Sequence, residues 1–386
     1  MRIALVDPSL YTWPYDVALA DALRRAGHEA IVFGKALPKT DQRHGDPRLA
    51  PVFYRSMADV AKGQQARALF LARKGASHLA SMVRLVRTLR RWRPDVIHIH
   101  WLLFPLVDRA FLATLRRIAP LVLTVHDTNP FNDNPALGLQ AVGAIAILRR
   151  FDRLIVHTDQ GVERLAHHGV QRNRVARIAH GLLHEPAAPP PPPPFLAGDG
   201  KLTLLQFGLI KPYKGIDLLI RAAAGLPPGI RTNVVIRVVG RPEMDIAPLT
   251  ALARELAVED VVHFDFRFVP DSDLDRMMAG ADVLLFPYRE IEASGVLLSA
   301  LAWRRPVIAT RIGLFAELIS DGQDGLLVPR EDPDALRAAI TRLVSEPGLL
   351  ARLAAGSDRL ARQVPSWDAI ARETTAVYES AIAPRV

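Results

Sequence analysis

Three segments of this 386-residue chain place charged and small residues where an anionic ligand would need them. In the first, Phe207-Gly208-Leu209-Ile210-Lys211-Pro212-Tyr213-Lys214-Gly215, an apolar run ends and a helical pattern begins. Gly208 lets the backbone approach a ligand closely, and Lys211 and Lys214 set two cations beside that approach, which suits a diphosphate. In the second, Phe286-Pro287-Tyr288-Arg289-Glu290-Ile291-Glu292-Ala293 leads into Ser294-Gly295-Val296-Leu297, with Ser299 a turn later. Free N–H groups at such a helix start attract an anion, and Glu290 and Glu292 can hydrogen-bond sugar hydroxyls or simply be solvated beside a serine cap. The third, Pro306–Gly313 followed by Glu317 and Asp321–Val328, reads as buried strand, loop, helix and turn.

The first half offers fewer candidates. His126 and Asp127 follow an apolar run, and Asp127 could act as a base or as a hydroxyl ligand. Tyr11, Trp13 and Tyr15 lie in the loop Pro8–Asp16, where they suit either stacking on a sugar or packing. His98, His100, His157 and His180 read as mainly structural. No His, Asp or Glu pairing has zinc spacing with a plausible third ligand, and no metal is expected.

These segments need elements to position them. Arg2–Val6, Ala30–Phe33, Asp95–Ile99, Leu121–Val125, Arg153–His157 and Arg174–Ile178 are strand-like, with helical patterns between them. That alternation predicts a parallel α/β sheet. It restarts after Pro189–Pro194, with strands expected at Leu202–Phe207, Asn233–Val239, Val261–Phe264, Asp282–Phe286, Pro306–Ala309 and Gly325–Val328. The expected fold is α/β, two Rossmann-like doubly wound domains facing across a cleft. The expected boundaries are 1–185, a proline-rich linker at 186–200, 201–365, and a C-terminal helix at 366–386 that returns to the first domain. A run of six prolines favours extended polyproline II, hence the linker.

The length agrees with two cores rather than one. With no cysteine, disulfides, thiolate metal sites and a cysteine nucleophile are excluded. The apolar run at the N-terminus is too short for a signal peptide, and no stretch reaches the length of a membrane span, so a cytoplasmic location is expected. Net charge is +9. Much of it lies between Arg55 and Arg93, where Lys62, Arg67, Arg73, Lys74, Arg84, Arg87, Arg90 and Arg91 meet one acid, Asp59. Leu79, Met82, Val83, Val86 and Leu89 have helical spacing, and Arg84, Arg87 and Arg91 share another face. The stretch 62–93 reads as a basic amphipathic helix for an anionic membrane surface on the cytoplasmic face, or as a helix packed on the sheet with a solvated basic side. No nucleic-acid signature is present.

Taken in order, Lys214-Gly215, Ser294-Gly295-Val296, Pro306-Val307-Ile308-Ala309-Thr310 and Asp321–Val328 resemble the donor domain of GT-B glycosyltransferases, in particular glycosyltransferase family 4. Leu23–Glu29, Pro94–His100 and Thr124–Asp127 resemble its acceptor domain, so the resemblance covers nearly the whole chain. It implies transfer of a sugar from a nucleoside diphosphate sugar, a co-substrate rather than a cofactor, to an acceptor hydroxyl, with retention at the anomeric carbon. It also implies that Lys214, assisted by Lys211 and by the amides of Ser294–Leu297, neutralises the diphosphate. His126 would lie beside the transferred sugar, and specificity would come from Phe266–Pro270 and Glu290–Val296. The pattern is similar to a bacterial exopolysaccharide and glycolipid branch, which implies a lipid-linked acceptor.

The chain departs from the family pattern in places. Of the family's two glutamates seven residues apart, the second position is Ser299 and the first falls near Ile291, between Glu290 and Glu292. Gly208-Leu209 replaces the usual Gly-Arg. The alternatives are a non-catalytic sugar-nucleotide-binding paralogue or a nucleotide-sugar 2-epimerase.

Overall fold

The computed structural model describes residues 1–55, 67–126, 146–188, 190–197, 200–291 and 294–383. The chain divides into two compact units, Met1–Gly181 with Pro365–Val386, and Leu182–Val364.

The first unit runs β1 (Arg2–Asp7), α1 (Trp13–Arg25), β2 (Glu29–Lys35), β3 (Leu49–Phe53), α2 (Arg67–Trp92), β4 (Val96–Ile99), α3 (Pro105–Arg116), β5 (Leu121–Thr124), β6 (Arg153–Val156), α4 (Asp159–His167) and β7 (Val175–Arg177). The strands form a seven-stranded sheet, order β3-β2-β1-β4-β5-β6-β7, parallel throughout among the described residues. The central strands are buried on both faces, which is why they read as near-continuous apolar runs. Strand β3 carries Pro51, and a proline lacking an N–H is tolerated there because β3 is an edge. That proline also hides the strand from pattern reading. The C-terminal helix Trp367–Ile382 packs in this unit: Tyr378 Oη lies 2.7 Å from His98 Nδ1, and Arg25 pairs with Asp368.

The second unit runs β8 (Leu202–Phe207), α5 (Ile216–Ala224), β9 (Val234–Val239), α6 (Ala247–Glu255), β10 (Val262–Asp265), α7 (Asp271–Ala279), β11 (Val283–Phe286), α8 (Gly295–Ala302), β12 (Val307–Thr310), α9 (Gly313–Leu318), β13 (Gly325–Val328), α10 (Pro333–Ser345) and α11 (Leu349–Gln363). Its sheet has the order β10-β9-β8-β11-β12-β13, again parallel. The proline run belongs with this unit and is not a free linker. Arg305, fully buried, donates to the carbonyls of Pro191 (2.8 Å), Met278 (3.1 Å) and Ala279 (3.1 Å). The Phe195 amide donates to Asp282 Oδ1 at 2.7 Å. The units therefore divide at Gly181/Leu182, before the expected linker at 186–200.

In each sheet the winding direction reverses once, at β1/β4 and at β8/β11. Ligands in open α/β sheets bind beyond the carboxyl ends of strands at such reversals. Asp7 ends β1 and His100 follows β4 at the first reversal, and Gly208 follows β8 and Tyr288 follows β11 at the second.

Candidate functional site

In the second unit the site begins where β8 ends. Gly208 has φ +108°, and a Cβ there would stand 2.9 Å from Lys214 Nζ and 3.3 Å from Val296 Cγ2. The missing side chain is thus what brings the β8 turn, the lysine and the first turn of α8 together. Gly215, at φ +65°, ends the lysine turn, and a Cβ there would collide with the Pro287 carbonyl oxygen at 1.9 Å. Arg289 holds the same two loops together: it grips both oxygens of Asp217 (2.8 and 2.7 Å), and its amide donates to the Tyr213 carbonyl (2.7 Å).

Lys214 is buried, 4% exposed, an unusual place for an ammonium. Its Nζ lies 5.1 Å from the Tyr288 ring centre and donates to the Phe207 carbonyl at 3.3 Å. Burial, and then the nearby Lys211 charge, pull its pKa down to about 7. The Tyr288 hydroxyl is buried without a partner among the described residues. Ser294 caps α8 by accepting from the Leu297 amide (3.3 Å), while the Gly295 and Val296 amides precede the helical ladder. One deprived cation and one helix start therefore converge on Gly208.

Other expected residues are placed differently. Lys211 lies 3.8 Å from Glu243 Oε2 and 5.9 Å from the Tyr213 ring, so its charge is partly answered within the protein. Ser299 is buried, and its hydroxyl donates to the Gly295 carbonyl (3.0 Å) and lies 3.0 Å from His184 Nδ1. Its hydroxyl is thus answered within the protein, its proton held by the helix's own carbonyl. Glu290 is half-buried, and Glu292 lies outside the described residues.

In the first unit the candidates gather at the strand ends. Asp7 ends β1, His100 follows β4, His126 follows β5 and His157 follows β6. Tyr15, from the first turn of α1, sits among them, its ring centre 5.5 Å from His100, 5.0 Å from His126, 5.5 Å from His157, 4.9 Å from His180 and 5.2 Å from Trp367. Burial pushes every one of these imidazoles down, His100 and His157 to about 4 and His180 to about 3, with His126 and His98 also well lowered. All are neutral near pH 7. Burial pushes Asp7 and Asp16 the other way, up toward the protonated form. Thr12 Oγ1 bridges this carboxyl pair (3.3 and 3.2 Å) and accepts from Trp101 Nε1 (3.1 Å), and Asp16 Oδ1 lies 2.5 Å from His100 Nδ1.

Of the three loop aromatics, only Tyr11 presents its ring to solvent, 62% exposed. Trp13 and Tyr15 are buried, Trp13 in the core near Arg48, so of the two readings of these aromatics both take packing. Trp101, which pattern reading passed over, stands edge-on to Tyr11 (5.7 Å) and stacks on His126 (5.5 Å, 15°). The histidines read as structural form one ring system with His126. Their signal was a histidine one residue past each of two strands, His100 and His157, and two past a third, His126. Asp127 lies outside the described residues. Among the described residues no three His, Asp or Glu are grouped to hold a metal ion.

Two doubly wound parallel units in one chain are the architecture of the GT-B fold. Anabaena HepE, solved with UDP and glucose, superposes with a TM-score of 0.75 at 20% identity over 98% of this chain and 100% of its own. Sucrose-phosphate synthase from Thermosynechococcus elongatus gives 0.74 at 18% identity over 98% of both chains. Residues 193–359 match the glycosyl transferases group 1 model, and residues 17–184 match glycosyltransferase family 4. A D-inositol 3-phosphate glycosyltransferase from Streptomyces bingchenggensis is 31% identical over 309 residues, 75% of this chain and 67% of that protein. The chain belongs to the group 1, family 4 glycosyltransferases, enzymes that use nucleotide sugars.

Proposed function

We propose that this enzyme moves a sugar, with retention, from a nucleoside diphosphate sugar to a hydroxyl of a lipid-linked saccharide. The observation that carries the donor half is the buried, poorly paired ammonium of Lys214 at the start of α8. It and the Gly295 and Val296 amides supply positive charge where negative charge develops on the leaving diphosphate. His126 and its ring system meet the transferred sugar, and Tyr11 with Trp101 offers an aromatic wall to the acceptor. The leaving diphosphate takes the acceptor's proton on the same face, so the chain need supply no separate base.

The donor half is tested by thermal stabilisation with UDP-, GDP-, ADP- and dTDP-sugars, with Lys214→Ala as control. A ligand at 100 times its Kd stabilises the native state by about 2.7 kcal/mol. One nucleotide class should raise Tm in the wild type and not in the variant. No shift with any of them would sink the donor reading.

The lipid-linked acceptor rests on α2. Among its described side chains Met82, Leu85, Val86 and Leu89 are buried, while Leu79 and Val83 are exposed among Arg73, Arg87, Arg90 and Arg91. Arg84 is not on that basic face, because its Nη1 donates to the Val52 carbonyl at 2.6 Å and braces β3. No acid interrupts the helix, and no described helix is long and apolar enough to cross a membrane. An apolar strip framed by arginines suits the surface of an anionic bilayer. Vesicles containing phosphatidylglycerol should sediment the protein at low salt, and the double variant Leu79→Glu/Val83→Glu should stay in solution. A second reading, a soluble phosphorylated polyol acceptor, is favoured by the name of the Streptomyces relative. A wild type that stays in solution with the vesicles would favour it.

A further inference from the structure

The hydrogen bonds around His126 determine which of its nitrogens carries the proton. His157 Nδ1 lies 3.0 Å from the Ile178 carbonyl oxygen, and a carbonyl can only accept. The proton of His157 is therefore on Nδ1. Its ring is fully enclosed beside His126 and His180 (5.2 and 5.0 Å), which keeps it neutral, so its Nε2 is a lone pair. That lone pair lies 3.2 Å from His126 Nδ1, which must then be the donor. Desolvation beside the neighbouring imidazoles of His100 and His157 (5.6 and 5.2 Å) keeps His126 neutral as well, which leaves Nε2 bare. His126 Nε2 is buried and has no hydrogen-bond partner among the described residues. Trp101, stacked on the ring, holds its plane.

A buried acceptor with no donor carries a desolvation cost unless a ligand answers it. A ligand that answers it must bring a hydrogen, as a sugar or acceptor hydroxyl does, whereas a ring oxygen or phosphate oxygen cannot. We propose that His157 is a positioning residue for transfer: it relays the demand of the Ile178 carbonyl to His126 and so presents His126 Nε2 as an acceptor for a substrate hydroxyl. This rests on the reading of His126 as a contact of the reacting sugar. It names the polarity of that contact and the residue that sets it. His157→Phe would free His126 to carry its proton on either nitrogen and to turn a donor toward the substrate hydroxyl. His157→Gln keeps one amide oxygen to accept from His126 and one amide nitrogen to donate to Ile178.

Nitrogen-15 NMR of histidine-labelled protein, with His126 assigned by the loss of its signals in His126→Ala, reports the tautomer directly. The expected wild-type result is a neutral His126 protonated on Nδ1 at pH 7. His157→Phe should mix the tautomers and lower kcat by about 10- to 100-fold, the scale of one misplaced hydrogen bond, with donor KM within about twofold. His157→Gln should recover most of both. A wild-type His126 protonated on Nε2 overturns the proposal, whether or not the phenylalanine variant folds. If His126→Ala still abolishes transfer in that case, the reading of His126 itself survives. A mixed tautomer in His157→Phe with unchanged kcat overturns the positioning role.

Discussion

Lys214→Met is expected to lower kcat/KM for the nucleotide sugar by about 10²–10³-fold while raising the melting temperature of the free enzyme. The two effects have one cause. In the unbound enzyme the ammonium is buried against the Tyr288 ring with a single long hydrogen bond, to the Phe207 carbonyl, among the described residues. Its pKa falls from 10.5 to about 7. A lysine whose folded pKa is depressed binds fewer protons in the native than in the unfolded state between those values. Stability is therefore lost as pH falls from 10.5 to 7, and at pH 7 the loss is nearly complete, on the order of 2–5 kcal/mol. Methionine keeps the length of the stem and removes the charge. On the proposed donor role, a bound diphosphate would reverse the balance by giving the ammonium its partner, which would raise the pKa again. Donor binding above pH 7 should then take up a proton, visible as a dependence of calorimetric heat on the buffer's ionisation enthalpy. Affinity should weaken as pH rises from 7 toward 9, since the diphosphate diester keeps its charge throughout. An Lys214→Met enzyme that is no more stable than wild type, or that binds donor equally well, would remove Lys214 from the donor site.

Much of the fold was legible because parallel sheets buried on both faces write themselves as apolar runs, and those runs alternate with helical spacing in both halves. The meeting of the loops around Gly208, Lys214 and Gly215 was legible for a different reason: close approach of the backbone selects glycine, which leaves a residue type behind. Edge strand β3 was not legible, since Pro51 breaks the strand pattern. Helix α11 was also passed over, lying after the last strand, where the α/β alternation gives no cue. The roles of Ser299 and Trp13 could not be read locally. One depends on a hydrogen bond to His184, 115 residues away, and the other on Arg48 lying over its ring. The histidine ring system was hidden for the same reason, because strand order decides which strand ends are neighbours. His100, His126 and His157 are separated in sequence and become adjacent only through the order β4-β5-β6.

That ring system should make the enzyme acid-labile well above the range in which surface carboxylates titrate. His98, His100, His126, His157 and His180 are neutral, because desolvation holds His100 and His157 down to about 4, His180 to about 3, and His98 and His126 well below their ordinary range. Each begins to bind a proton in the unfolded chain as pH falls through 6.5 and binds none in the native state until far lower. Stability is therefore present above 6.5 and lost as pH falls toward 4. Asp7 and Asp16 act in the opposite direction. Their carboxyls are raised from 3.8 toward about 7, so they take up protons in the native state first and stabilise it as pH falls through 7. Five imidazoles outweigh two carboxyls. Between pH 7 and 5.5 the balance is a loss on the order of 3 kcal/mol, or about 6–12 °C in Tm for a unit of this size. The carboxyl pair supplies the internal control. Asp16→Asn removes a stabilising proton-binding group, so the variant should lose Tm more steeply than wild type over the same pH range. Calorimetric scans from pH 5 to 8 decide it: a Tm flat between 7 and 5.5, or an Asp16→Asn slope shallower than wild type, would mean that the histidines are not held neutral by burial. The neutral tautomer on which His126 depends would then have no foundation.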